Sequence, residues 1–91
     1  MKRVQVQNMR GSSGREVPNQ FIIFTEEGVY FQSYNSVIAF KDNQGNVFLD
    51  HATWDYSRTT GKYRNIFLRE TKAETVKKIE SGEYKLRELN R

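Results

Sequence analysis

The sequence predicts an α+β fold: a small antiparallel meander sheet of four to six strands, with one face packed by two C-terminal helices. Three observations lead there. Between residues 20 and 50, three turn signals fall at near-regular spacing and separate short runs rich in aromatic and β-branched residues. From Ser57 onward the apolar residues change to helical spacing. Finally, only 36% of the 91 residues are hydrophobic but 13% are aromatic, so rings of roughly 150–250 Å² each must fill one thin core.

The elements follow in order. Val4 and Val6 alternate with polar residues, which predicts a short half-buried strand. Arg10-Gly-Ser-Ser-Gly-Arg15 reads as a flexible loop, and Pro18 fixes the entry to the next element. Residues 20–25 form a strand, ended by Glu26-Glu27-Gly28 with Gly28 at a left-handed position. Residues 29–34 form the next, with Val29, Phe31 and Ser33 on one face and Tyr30, Gln32 and Tyr34 on the other. Asn35-Ser36 turns the chain into a strand over 37–41, and residues 42–46 form a hairpin loop before a strand over 47–50.

Ser57 caps a helix over 58–69, whose first turn Gly61 weakens. Tyr63, Ile66, Phe67 and Glu70 fall at i, i+3, i+4 and i+7, so Tyr63 is expected to face the core with Ile66 and Phe67. Thr71-Lys-Ala-Glu74 is a capping box opening a helix with Ala73, Val76 and Ile79 as its apolar positions. Ser81-Gly82 ends it, and Tyr84 and Leu86 alternate in a final short strand. The organisation expected is one domain: a strand and basic loop over 1–18, the meander over 19–50, and helices with a last strand over 51–91.

Charge is unevenly distributed within a net +4. Residues 1–15 hold Lys2, Arg3, Arg10 and Arg15 with no acid, and residues 56–64 hold Arg58, Lys62 and Arg64 with none. Such stretches attract polyanions. The absence of cysteine removes disulfides and cysteine-based zinc sites. No apolar run approaches the roughly 20 residues of a membrane span, and nothing apolar follows the charged start. A cytoplasmic protein without membrane contact is expected.

Catalysis has little to use. His51 is the sole histidine, flanked by Asp50 and Asp55, and reads as a loop residue rather than a metal ligand, because no further ligand joins it in sequence. Thr60-Gly61-Lys62 is a fragment of a phosphate loop without the rest of the pattern. No catalytic residue, metal or cofactor is expected. The remaining constellation is residues 54–65, where three rings interleave with three cations and with hydrogen-bonding side chains. Nucleic-acid surfaces use those groups: cations for phosphates, rings for bases, Asn and Arg for base edges. The candidate partner-binding residues are therefore Trp54, Tyr56, Arg58, Lys62, Tyr63, Arg64 and Asn65, with Arg10 and Arg15 of the N-terminal loop.

Several runs resemble a family of short uncharacterised proteins encoded by phages, prophages and plasmids of Gram-positive bacteria, with relatives in archaea. They are Asn19-Gln-Phe-Ile-Ile23, Tyr30-Phe-Gln-Ser-Tyr-Asn-Ser36 with Val37-Ile38-Ala39, residues 54–65 with Phe67-Leu68, and Ser81-Gly82-Glu83-Tyr84. One departure is Arg69-Glu70, where the resemblance leads one to expect Gly-Glu. The resemblance implies a mobile-element context and no activity. The expected function is a small non-catalytic accessory protein that binds nucleic acid through the basic, aromatic segment. The alternative is a protein-binding module, such as an inhibitor of a host or defence enzyme, or a homo-oligomer.

Overall fold

A computed structural model describes residues 3–90, so Lys2 of the basic N-terminus lies outside the described residues. The strands β1 (Gln5–Arg10), β2 (Glu16–Phe24), β3 (Gly28–Ser33), β4 (Ser36–Asp42) and β5 (Val47–Asp50) form the expected meander. Helices α1 (Arg58–Leu68) and α2 (Lys72–Glu80) follow, and β6 (Tyr84–Arg87) closes the six-stranded sheet in the order β1-β2-β3-β4-β5-β6. The first four pairings are antiparallel. The last corrects the purely antiparallel expectation: β6 runs parallel to β5, because two helices intervene and return the chain to the end of β5 where it started.

Both helices lie on one face. Phe31, Ala39 and Leu49, neighbours across β3, β4 and β5, are fully buried there and join Met9, Ile38, Val47, Phe67, Leu68 and Tyr84 in the core. Phe67 of α1 stacks on Phe31 at 5.7 Å. Thr60 and Gly61 are small enough to let the start of α1 approach the sheet, where Thr60 Oγ1 and Ser33 Oγ share a buried hydrogen bond of 3.0 Å.

Local signals placed most boundaries. Ser57 accepts from Thr60 N at the start of α1, and Thr71 and Glu74 form the reciprocal box at the start of α2. The N-terminal strand is longer than expected and the valines are not half-buried: Val4 precedes β1, Val6 lies on the face of this edge strand opposite buried Met9, and both are exposed. Pro18 lies inside β2 rather than before it. The proline is tolerated because residues 17–20 bulge opposite Met9, where a missing N–H breaks no ladder bond.

Helix α1 is helical from its first turn despite Gly61, and its inner face is rotated from the one expected. Thr60, Gly61, Arg64, Phe67 and Leu68 are buried, Tyr63 is half-buried against the core, and Ile66 faces solvent. In α2 the buried residue is Thr75 and Ala73 is exposed, because Thr75 Oγ1 donates to Glu70 Oε2 at 2.5 Å and draws that side inward. Leu86 is exposed on the β6 edge.

The turn between the helices carries a conformational cost. Arg69 caps α1 with φ 58°, a left-handed conformation that costs an L-residue about 1–2 kcal/mol. Arg69→Gly is therefore expected to stabilise the fold by about 1 kcal/mol, read as an upward shift of the urea midpoint at unchanged slope.

Glu70 next to it anchors a knot between the helix turn, α2 and β6. Its Oε1 accepts from Lys78 Nζ and Tyr84 Oη, each at 2.8 Å, and Oε2 accepts from Thr75. Burial works to raise the Glu70 carboxyl, yet these three bonds hold it below the ordinary range. Burial and the same carboxylate push the Tyr84 phenol up to about 12. A depressed carboxyl contributes stability that is complete above its unfolded pKa, about 4.3, and is lost as pH falls through the folded value. A raised phenol contributes stability lost as pH rises from about 10 toward the folded value of about 12. Glu70→Gln is expected to flatten the acid limb of a thermal-midpoint profile between about pH 5 and 2. An unchanged limb would remove Glu70 as its source.

Candidate functional site

The loop from β5 to α1 and the first two turns of α1 bring cations together. Arg58 and Lys62 project from the exposed side of α1 one turn apart, and Lys72 arrives from the first turn of α2. With Asp55, Ser57, Gly61, Arg64 and Asn65 they surround an open depression of about 490 Å³. No acid occurs in the first turn of α1, so its positive dipole end is uncompensated on its own helix.

Arg64, expected as a binding residue, is the buried floor of this site. Only 1% of its surface is exposed. Nη1 donates to Trp54 O at 2.8 Å and Asp55 Oδ1 at 2.9 Å, Nη2 donates to Asn65 Oδ1 at 3.0 Å, and the guanidinium lies 5.2 Å from the centre of the Trp54 ring. Nε carries no hydrogen bond within the protein. The remaining Asp55 oxygen is paired with Lys72 Nζ at 2.6 Å. Burial opposes ionisation of Asp55, but bonds from Lys72 and Arg64 hold its carboxyl below the ordinary range. The one carboxylate in the depression is thus shared by two cations, leaving Arg58 and Lys62 without a carboxylate among the described residues.

The other candidates divide. Trp54 and Tyr63 pack against the core, while Asn65 lines the depression and orients Arg64. Lys62 sits 5.3 Å over the Tyr63 ring, which steadies its ammonium at the rim. Tyr56 is exposed, between two residues that line the depression. Arg10 and Arg15 lie in the β1–β2 hairpin, where Arg10 donates to Gly14 O at 2.8 Å. Arg10 also lines a second depression with Ile66, which shares the outer side of α1 with Arg58 and Lys62 at four-residue spacing. Arg3 is exposed ahead of β1. Lys72 was invisible as a site residue, since only the turn at residues 69–71 folds it back onto α1.

The three groups weighed as a metal site in the sequence do not meet. Asp55 is taken by Arg64 and Lys72, while Asp50 and His51 come together with Glu88, all ligand atoms within 4.8 Å. The oxygens of that cluster already carry hydrogen bonds. Asp50 Oδ2 accepts from Ala52 N, Thr53 N and Thr53 Oγ1, Oδ1 accepts from Leu89 N, and His51 Nε2 bonds Glu88 Oε2 at 2.9 Å. Burial disfavours the Asp50 anion, but these donors keep its carboxyl low, so it acts as the clasp between the β5 end and the C-terminal tail. The Glu88 bond raises the His51 imidazolium above the usual range.

The uncovered sheet face carries a feature that sequence reading missed. Val6, Ile23, Tyr30, Phe40, Phe48 and Lys85 are in-register neighbours across all six strands. Tyr30 stacks on Phe40 at 4.3 Å, Phe40 on Phe48 at 6.1 Å, and the Arg87 guanidinium lies 4.9 Å over Phe48. Ring faces in this ladder are used on one another and on Arg87.

No curated protein and no solved structure is detectably similar to the chain. No helix among the described residues is long and apolar enough to cross a membrane. A family model matches residues 4–83, nearly the whole chain, and on that match the protein belongs to the family of unknown function DUF8033.

Proposed function

We propose that this chain is a non-catalytic accessory protein of a mobile element that binds nucleic acid by its phosphates, with the outer side of α1 as the contact surface. The observation that carries the reading is the convergence of Arg58, Lys62 and Lys72 over buried Arg64 around one depression whose sole carboxylate is already paired. Exposed Tyr56 offers a ring next to the depression, and Arg10 lines a second depression beside Ile66 of the same helix. A side chain that is buried and held at three acceptors keeps the site rigid, so little ordering cost accompanies binding. The absence of a catalytic role is part of the proposal: Asp50 and His51, the groups with most chemical potential, are engaged in holding the tail.

The test is fluorescence anisotropy of labelled single- and double-stranded DNA and RNA at about 50 mM salt, where phosphate contacts are strongest. Binding that weakens steeply with salt is expected; no binding to any of these probes would overturn the reading.

A second reading, association with protein, is favoured by the open ladder of Tyr30, Phe40 and Phe48 with exposed Val4 and Val6 beside it. Sedimentation equilibrium separates the self-association form of this reading. A monomer at the highest soluble concentration would count against a second copy as the cover.

A further inference from the structure

Resting on the nucleic-acid reading above, we infer that the depression between α1 and α2 is a site for a terminal phosphate monoester, the phosphorylated end of a strand, rather than for the phosphodiester chain between ends. Four cationic side chains, Arg58, Lys62, Arg64 and Lys72, line a concavity of about 490 Å³ and face a single carboxylate, Asp55. That leaves a local excess of positive charge in one place rather than along a track. A phosphodiester brings one negative charge and must leave the concavity in two directions along the chain. A monoester brings about −1.5 to −2 charges near neutral pH, three acceptor oxygens, and a single exit.

Gly61 keeps the cover over the floor thin. A Cβ there would stand 3.7 and 3.8 Å from the Arg64 Nη atoms and 3.8 Å from Asp55 Oδ1, so its absence leaves a methyl-sized space directly against the guanidinium. Arg64 is 1% exposed and already oriented by Trp54 O, Asp55 and Asn65, and its Nε is buried without a hydrogen-bond partner in the protein. A buried, fixed guanidinium with room over it is a preorganised anion receptor, and charge-assisted bonds to phosphate are the strong class.

The experiment compares one single-stranded oligonucleotide prepared with a phosphate at its first nucleotide, at its last nucleotide, or with hydroxyls at both ends. Inorganic phosphate and a nucleoside monophosphate serve as competitors. One phosphorylated end is expected to bind about tenfold more tightly than the hydroxyl strand, a preference worth about 1.4 kcal/mol, and inorganic phosphate should erase it. Equal affinity for all three strands overturns the monoester site while leaving the phosphate-binding reading standing. No affinity for any strand, with the nucleoside monophosphate still bound, overturns that reading and keeps the monoester chemistry. No binding of any probe overturns both. Gly61→Ala places a methyl over Arg64 at ordinary contact distances and improves helix propensity, so the fold is retained. It should abolish the end preference; full retention in that variant would overturn the placement of the phosphate.

Discussion

Replacing Arg64 with Ala is expected to destabilise the protein by about 3 kcal/mol or more, the usual scale for removing one partner of a buried, hydrogen-bonded ion pair. The side chain is 1% exposed and ties α1 to the loop before it, donating to the Trp54 carbonyl and the Asp55 carboxylate of that loop and to the amide oxygen of its neighbour Asn65. Its loss leaves the carbonyl and amide without their donor and removes the cation that covers the Trp54 ring. Asp55 retains Lys72, which softens the effect on the carboxylate itself. A domain of this length should lose about 15 °C of thermal midpoint. Arg64→Lys is no rescue, because an ammonium cannot meet three acceptors in the planar geometry of a guanidinium. A shift of only a few degrees in Arg64→Ala would mean that the loop over residues 51–57 is held by other contacts.

Gly28→Ala should be comparably severe. The position opens β3 at φ 152° and is buried against β4. An added Cβ would fall 2.1 Å from the Lys41 carbonyl oxygen and 2.8 Å from both Asp42 Cα and the Phe40 ring. Two of these obstacles are backbone, so the β3–β4 pairing itself must separate, and overpacking of this kind costs about 3 kcal/mol. The damage would reach the aromatic ladder, since Phe40 is the central ring. Loss of near-ultraviolet aromatic circular dichroism together with a lowered urea midpoint is the expected signature. Gly45→Ala is the matched control at another positive-φ glycine, where nothing lies within 4 Å of a new Cβ, so only the conformational cost of about 1 kcal/mol should appear.

Which of these features the sequence could reveal depended on how far the deciding contact lies along the chain. The turns, the Ser57 cap and the Thr71–Glu74 box are written within four residues and were legible. The face of α1 was not, because Thr60 and Gly61 point inward to meet Ser33, twenty-seven residues earlier, and carry Arg64 in with them. A purely apolar count placed Ile66 inside for the same reason. The parallel arrival of β6 and of Lys72 follows from packing of the helix pair, for which no local code exists. The ladder was half-legible: Tyr30 alternates with Phe31 as expected, but its alignment with Phe40 and Phe48 depends on the bulge that gives β4 the extra residue Ile38. Of the candidate site, Arg58, Lys62 and Tyr56 were named for surface roles that their exposure allows, whereas Trp54, Arg64 and Asn65 build the support beneath them.

The central claim is that Arg58, Lys62 and Lys72 form a phosphate-binding surface over a fixed Arg64. The most direct measurement is the salt dependence of affinity for a single-stranded oligonucleotide, comparing the unaltered chain with the combined Arg58→Gln, Lys62→Gln, Lys72→Gln variant. All three side chains are solvent-exposed, so the variant should fold with a stability change below about 1 kcal/mol. Three cations that each neutralise one phosphate charge give a slope of log affinity against log salt of about −2 for a single strand. The account predicts that slope for the unaltered chain and, for the variant, a more than tenfold weaker affinity at low salt with little remaining salt dependence. A folded variant that binds as tightly, with the same slope, would contradict it.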